Sequence, residues 1–297
     1  MDTRAPPGAA AFSLMVLLCG LWGMQQVAIK LAAVGVTPLF QGGIRSALAA
    51  VLLLAWASVR RIPLFGRDGS LWPGLLSGLL FAVEFALIFA AAERSPASRL
   101  VVFMYTAPCF TALLLHLFVP AERMSAMQAA GILLAFGGIV LAFADHAGGG
   151  DWTGDAFGLT AAFLWAATTV LIRASVLARI TATKVLFYQL VVSGVAMLAL
   201  AAAIGERGLF NPAPVVVLSL AFQTAIVAFA SYLAWFWLLA RYEAGKLMVF
   251  SFLTPLFGVA FGVLLLGEAP GSRFLLAAVL VVLGIVLVNL RRPSAAK

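Results

Sequence analysis

The sequence has few charged residues. Asp, Glu, Lys and Arg make up only 10% of its 297 residues, whereas soluble domains carry about 25%. Hydrophobic residues reach 64% and the mean hydropathy is +1.11, so too little polar surface remains to cover a water-facing globule. Apolar runs of about 20 residues, the length that spans a bilayer, recur from Ser13 almost to the C-terminus. The composition therefore excludes a soluble fold and predicts a polytopic membrane protein.

The residue types that build metal sites and catalytic centres are also scarce. Cys19 and Cys109 fall inside apolar segments, where they are predicted to be small buried hydrophobes without a disulfide or metal-ligand spacing. His116 and His146 are expected near opposite membrane faces, and every Asp lies in a loop or at the end of an apolar span. The sequence thus predicts no metal, no cofactor and no catalytic residue, and it argues against an enzyme.

The basic residues are spread along the chain, although the formal net charge is +8 and the pI is about 10.2. Nucleic-acid-binding proteins gather Lys and Arg into a patch or stripe. Here these residues sit at the ends of apolar segments, as expected from the positive-inside bias and from anionic lipid headgroups. We therefore predict the lipid bilayer, and no nucleic acid, as a partner.

Ten apolar segments are separated by turn and loop residues. Each is continuously apolar, unlike the alternating strands of a membrane β-barrel, so the chain is predicted to be an all-α membrane protein with ten transmembrane helices. Most Lys and Arg residues fall on one side if both termini are cytoplasmic, which sets the predicted orientation. The predicted spans are 13–33, 39–59, 72–92, 97–118, 126–144, 155–175, 184–204, 214–238, 245–266 and 273–290.

The two halves of the chain resemble each other. Residues 98–108 match residues 245–255, which places Pro108 on Pro255, and Trp22 likewise matches Trp165. Each half contains five predicted helices, an odd number, so the second half enters the membrane from the opposite side. We predict two inverted five-helix repeats, residues 1–146 and 147–297, with a site at their interface near the midplane. A duplicated structural scaffold is the alternative.

Several short motifs, in their order and duplication, resemble the EamA branch of the drug/metabolite transporter superfamily over about residues 13–290. The resemblance implies a bacterial inner-membrane protein with ten helices and both termini cytoplasmic, similar to exporters of amino acids and other small metabolites. The motifs that carry it are Trp22-Gly23 with Lys30, Arg45, residues 98–108 with the copy ending in Pro255, Glu122 with Gly131 and Gly138, and Gly267-Glu268 with Gly284.

Glu84 is the clearest candidate for a functional charge. It lies near the middle of the third predicted span, and ionisable groups at that depth are costly unless they face a cavity or a partner. It could hold a substrate ammonium or exchange a proton for substrate. Alternatively, it forms a structural ion pair with Arg45 or Lys30. Arg45, inside the second span, could itself bind a substrate carboxylate or neutralise Glu84.

Two symmetry-related stripes could line a central cavity. Trp22, Gln26 and Lys30 follow one another at four-residue spacing along one helix face, and their repeat counterparts are Trp165, Thr169 and Arg173. The alternatives are that the tryptophans are packing anchors and that the two cations snorkel to the interface. The remaining mid-span polar candidates, which could also bridge helices, are Tyr105, Tyr188, Gln189, Gln223, Ser231 and Tyr232.

Pro108 and Pro255 fall in the middle of predicted helices. Each removes a backbone hydrogen bond and releases the carbonyl four residues earlier, on Met104 and Ser251. A symmetric pair of kinks suits a hinge or a substrate-facing bend, although kinks that only shape the helices are the alternative. Glu122 and Glu268, before the fifth and tenth helices, are predicted to complement helix dipoles.

These observations favour a secondary transporter that exports small metabolites by alternating access, with amino acids as the first candidates. A mixed cavity with Glu84 and Arg45 could satisfy a zwitterion and its apolar side chain. A drug or nucleotide-sugar-like carrier is the main alternative, ahead of a channel and an intramembrane enzyme. A single deep carboxylate permits proton coupling without requiring it.

Overall fold

The computed structural model describes residues 6–92, 94–95, 97–144, 151–267 and 271–290. The regular secondary structure in these ranges is helical, apart from isolated β-bridge residues such as the pair Val36 and Leu209. The helices of the first half are α1 (Ala9–Ala32), α2 (Pro38–Val59), α3 (Leu71–Ala92), α4 (Ala97–Met104), α5 (Ala107–Phe118) and α6 (Ala126–Phe143). Those of the second half are α7 (Trp152–Ala174), α8 (Ala182–Ala203), α9 (Pro214–Ala221), α10 (Tyr232–Arg241), α11 (Ala244–Met248), α12 (Leu253–Leu266) and α13 (Phe274–Asn289).

Nine helical stretches in the described residues are long and apolar enough to cross a membrane. Three of them combine shorter elements: α4 with α5, α9 with α10, and α11 with α12. The tenth predicted span corresponds to α13, which is apolar but has only 16 residues. The predicted all-α membrane architecture is confirmed at this level, as an all-helical chain with several membrane-spanning helices.

Both predicted proline positions coincide with breaks in α-helical geometry. The chain forms a turn at Tyr105 and Thr106 before α5 begins, and Pro108 lies in the first turn of that helix. In the second half, a 3-10 helix over Val249–Phe252 precedes α12, which contains Pro255. A proline has no N–H to donate and its ring clashes with the preceding turn, so each break falls on its N-terminal side.

One irregular element has no counterpart in the predictions. A π-helix over Phe222–Ser231 joins α9 to α10, and the resulting span runs from Pro214 to Arg241 instead of ending near residue 238. π-helical turns are uncommon and often occur at functional sites. This one turns Gln223 toward α2, where its amide oxygen accepts a 3.0 Å hydrogen bond from Gln41. Gln223 thus bridges two helices, which was the predicted alternative to lining the cavity.

The helices of the first half pack mainly against those of the second. The most extensive pairs are α6 with α13, α2 with α8, α3 with α7, α3 with α8, and α1 with α12. Lipid tails are as apolar as Leu, so close packing rather than hydrophobicity holds such helices together. At the crossing of α6 and α13, a Cβ on Gly284 would lie 2.5 Å from the carbonyl oxygen of Gly131. Only glycine permits this approach.

Polar contacts between each connecting segment and a neighbouring helix show which connections lie at the same end of the molecule. At the N-terminal end of α2, the Glu206 carboxylate accepts hydrogen bonds from the Thr37 hydroxyl at 2.6 Å and from the Phe40 N–H at 2.8 Å. At the C-terminal end of α2, the Lys184 ammonium lies 2.8 Å from the Asp68 carboxylate. The connections 60–70 and 205–213 therefore lie at opposite ends of the helical bundle.

Candidate functional site

A central cavity of about 230 Å³ lies between helices of the two halves. Its lining residues come from α1, α3 and α4 of the first half and from α7, α8, α10 and α12 of the second, with Thr254 as the contribution of α12. The broken region before α5 contributes Tyr105. The predicted cavity residues that line it are Trp22, Gln26, Glu84, Tyr105, Trp165, Thr169, Gln189 and Tyr232.

Aromatic rings form much of the cavity wall and pack against one another edge to face. The Trp22 and Trp235 ring centroids are 5.9 Å apart with an interplanar angle of 81°. Tyr105 and Trp165 are 6.3 Å apart at 79°. Such T-shaped pairs are favourable because the positive edge of one ring meets the negative face of the other. The rings therefore hold one another in place and leave their remaining faces for a ligand.

Glu84 is the acidic residue of this cavity. Its side chain is buried, with the residue 5% exposed, and it makes no hydrogen bond or ion pair within the described part of the chain. The alternative in which it pairs with Arg45 or Lys30 is therefore not realised in this structure. A buried carboxylate without a partner costs free energy. Its position on the cavity wall gives a ligand access to that carboxylate.

Arg45 is buried but does not belong to the cavity lining. The residue is 2% exposed, and its guanidinium carbon lies 4.8 Å from the centroid of the Phe85 ring. Two of its nitrogens, Nε and Nη2, have no hydrogen-bond partner among the described residues. The stacking on Phe85 places Arg45 beside a cavity residue instead of at the cavity surface, which departs from its predicted position.

Ser231 and Tyr188 also lie outside the lining. The Ser231 hydroxyl accepts a 2.9 Å hydrogen bond from the Trp22 indole and donates one of 2.6 Å to the Val227 carbonyl, so it positions the indole. Tyr188 lies near the C-terminal end of α2, where its hydroxyl is 3.0 Å from that of Ser70. Both residues face neighbouring helices, and neither faces the cavity.

Several lining residues were not predicted. Gln25 and Thr168 precede the predicted Gln26 and Thr169 in sequence, and their mid-span polarity was a signal that could have identified them. The phenylalanines of α3 carry no such signal, because Phe is common throughout the apolar spans. The unpredicted aromatic residues of the lining are Phe81, Phe85, Phe89, Trp235 and Phe236.

A buried ion pair lies at the end of the helical bundle where α2 ends. Arg173, at the end of α7, pairs with Glu122, and both side chains are 5% exposed. Arg173 also donates to the Leu239 carbonyl at 3.0 Å, and Glu122 accepts from the Ala244 N–H at 2.6 Å. The predicted snorkelling of Arg173 is therefore wrong, since a partner holds it inside.

Glu122 also differs from its predicted role. It was expected to complement the N-terminus of the fifth membrane helix, but its carboxylate lies at the N-terminus of α11 and against Arg173. The helix that follows Glu122 is capped instead by Ser125, whose hydroxyl accepts from the Gln128 N–H. Glu268, the repeat counterpart of Glu122, lies outside the described residues.

These features define a multi-pass membrane protein with a central ligand-sized cavity. The sequence model of the EamA-like transporter family matches residues 10–144 and 152–290. The match covers nearly the whole chain, so the chain belongs to the EamA-like transporter family. The resemblance predicted from the sequence motifs is thereby confirmed, and family membership makes the chain a transporter.

Curated relatives are similar over almost their full lengths. A protein of Escherichia coli strain K12 named "Probable amino-acid metabolite efflux pump" is 28% identical over 282 residues, covering 92% of each chain. An "Uncharacterized transporter" of Archaeoglobus fulgidus is 25% identical over 289 residues, covering 94% of this chain and 97% of that protein. A solved crystal structure with 18% identity superimposes on 95% of this chain and 96% of its own with a TM-score of 0.81, which shows a shared fold.

Proposed function

We propose that this chain is a secondary transporter that exports small metabolites, with amino acids as the favoured substrates, by alternating access. In this proposal ten membrane helices form two inverted five-helix repeats, 1–146 and 147–297. The protein lies in the bacterial inner membrane with both termini in the cytoplasm, as the positive-inside bias of its loops favours. The central cavity is the substrate site.

The pattern of helix packing supports the inverted repeats. A two-fold relation would pair α2 with its counterpart α8 and α6 with its counterpart α13, and both pairs pack extensively. It would also relate the contact of α3 with α7 to that of α1 with α9 and the π-helix, and the contact of α5 with α7 to that of α12 with α1. Each of these contacts is present. Rocking of two such halves would expose the cavity to each side in turn.

The single observation that carries the transport proposal is the cavity between the halves, with a helix break beside Pro108 and another beside Pro255. Its volume of about 230 Å³ lies below the range of about 300–1,000 Å³ that is usual for drug-sized ligands. A small metabolite therefore fits better than a sugar nucleotide, which would also need several cations near the midplane. The names of the two bacterial relatives that mention amino-acid metabolites support the same class.

Counterflow in proteoliposomes tests the proposal. We expect saturable uptake of at least one labelled amino acid into vesicles preloaded with the unlabelled compound. Glu84→Gln removes the carboxylate that would bind the ammonium group, and the loss of a charged hydrogen bond, about 1.5–3 kcal/mol, corresponds to at least about a tenfold weaker apparent affinity.

The matched control is Glu243→Gln, because Glu243 pairs with Lys246 outside the cavity. We expect this variant to keep the wild-type rate. Absence of saturable uptake across the panel would reject amino acids as substrates. A wild-type rate in Glu84→Gln would reject the role of its carboxylate, and ionic current under an applied voltage would indicate a channel instead.

A further inference from the structure

The charge inventory of the cavity is asymmetric. Glu84 supplies a carboxylate, whereas none of the described lining residues is Lys, Arg or His. A zwitterionic amino acid presents both an ammonium group and a carboxylate, and only the first of these finds an opposite charge here. This asymmetry deepens the proposed function, on which the inference rests, because it distinguishes among metabolites that carry an amino group.

We propose that the cavity selects monocationic amines with an apolar or aromatic body over the zwitterionic amino acids with the same side chain. Within the class of amino-acid metabolites, the compounds bound most tightly are those whose carboxylate is absent or is masked as an amide or an ester, and the free amino acids bind more weakly. The Glu84 carboxylate binds the ammonium group, and the aromatic walls enclose the remainder.

The aromatic walls suit an organic cation. The negative face of an aromatic ring attracts a cation within about 6 Å of the ring centroid, and Trp attracts it most strongly. Trp22, Trp165 and Trp235 all line the cavity, and Phe81, on the same helix as Glu84, packs edge to face against Tyr232 with ring centroids 6.1 Å apart. An ammonium group bound at Glu84 thus lies in a cavity lined by these rings, and the apolar body of the substrate packs against them.

Among the described residues, the cavity lining contains no Lys, Arg or His to pair with a substrate carboxylate. Arg45 lies against the Phe85 ring and outside the lining. Arg173 follows the lining residue Ile172, but its guanidinium is engaged by Glu122 and by the Leu239 carbonyl. A carboxylate brought into this apolar enclosure loses its hydration without gaining a counter-ion, which costs several kcal/mol. A zwitterion therefore bears a penalty that an amine avoids.

Four probes that share a phenylethyl group test this selectivity. Phenethylamine is a monocation, phenylalanine a zwitterion, 3-phenylpropionate a monoanion and 2-phenylethanol is neutral at pH 7. Binding is measured on the purified full-length chain in detergent by quenching of tryptophan fluorescence, to which the cavity tryptophans contribute, and by competition between probes. We expect phenethylamine to bind at least about tenfold more tightly than phenylalanine, and 3-phenylpropionate to bind more weakly than 2-phenylethanol.

Two variants separate the contributions of the charges. Glu84→Gln should weaken phenethylamine at least about tenfold while leaving 2-phenylethanol unchanged. Arg45→Gln should leave the order of the four probes unchanged, because Arg45 is outside the lining. The probe series on the unaltered chain carries the test even if either variant fails to fold.

Equal or tighter binding of phenylalanine would overturn the inference, and loss of that binding in Arg45→Gln would assign the carboxylate to Arg45. Binding of none of the probes by a chain that transports amino acids would also overturn it. Failure of the broader proposal looks different, because phenethylamine would bind selectively while no labelled compound, amino acid or amine, accumulates in proteoliposomes.

Discussion

The ion pair between Asp68 and Lys184 joins an exposed carboxylate to a buried ammonium group. The Lys184 side chain is 4% exposed, whereas that of Asp68 is 41% exposed. The hydrogen bond from Lys184 is the largest influence that holds the pKa of the Asp68 carboxyl well below its usual range, and hydrogen bonds from Ser70 act in the same direction. The carboxylate therefore stays ionised in acid that would protonate a free Asp.

The stability that Asp68 contributes should depend on pH in a defined direction. A carboxyl whose pKa is lower in the folded state stabilises that state above its unfolded pKa of about 3.9, and the contribution disappears as the pH falls through the folded value. We expect Asp68→Asn to melt at a lower temperature than wild type at pH 7 and at pH 5. The difference should shrink only below about pH 4.

Thermal melts of the two proteins in detergent across this pH series provide the measurement. Glu243→Gln is the control, since Glu243 pairs with the partly exposed Lys246. A gap between wild type and Asp68→Asn that already closes between pH 7 and pH 5 would contradict the assignment.

The positions of individual side chains could be predicted from the sequence only where they follow from the geometry of a single helix. The four-residue spacing of Trp22 and Gln26 predicts a shared helix face, and both line the cavity, because side-chain direction within one helix follows from its period. The position of Arg45 depends on contact with Phe85 from another helix. Nothing local in the sequence specifies that contact, so the separation of Arg45 from Glu84 could not be predicted.

At the scale of elements, the pair between Glu122 and Arg173 joins four segments. The end of α7, the end of α10, the start of α11 and the connection before α6 all meet at these two side chains. Such an arrangement of buried charges is costly to break because each partner then remains without its counter-ion.

Removing one partner of this pair should therefore destabilise the protein more than removing both. We expect Glu122→Gln to lower the free energy of unfolding by about 3–5 kcal/mol, the cost typical of an uncompensated buried charge. The double variant Glu122→Gln with Arg173→Met should recover part of this loss. Denaturation in detergent of the wild type, both single variants and the double variant gives the coupling energy. Additive losses would show that the two side chains act independently.

Element boundaries were predictable wherever chain chemistry alone determines them. The breaks before Pro108 and Pro255 follow from the missing N–H, and the predicted spans agree with most of the helix ends. The π-helix over Phe222–Ser231 was not predictable, since its sequence is as apolar as its neighbours. Its irregular turn depends on tertiary contacts, among them the hydrogen bond of Gln223 with Gln41.

At the scale of the whole molecule, the inverted repeats make a prediction about sidedness. Arg67 and Arg207 are both exposed and lie in connections at opposite ends of the bundle. In a chain whose Cys19 and Cys109 are replaced by Ser, we expect Arg207→Cys to react with a membrane-impermeant maleimide on intact cells. Arg67→Cys should react only after permeabilisation. The unreactive parent without cysteines serves as the control, and labelling of both positions from one side would exclude the antiparallel arrangement.

The pairing of α6 with α13 has a consequence for the surrounding lipid. These helices contain 18 and 16 residues, which corresponds to about 27 and 24 Å at 1.5 Å per residue. A typical hydrocarbon core is about 30 Å thick, so both of these packed helices, over their described residues, are shorter than that core. Hydrophobic mismatch of this kind draws the two leaflets together locally. Shorter acyl chains should therefore collect along this one flank, and membrane thickness becomes a variable to which the protein responds.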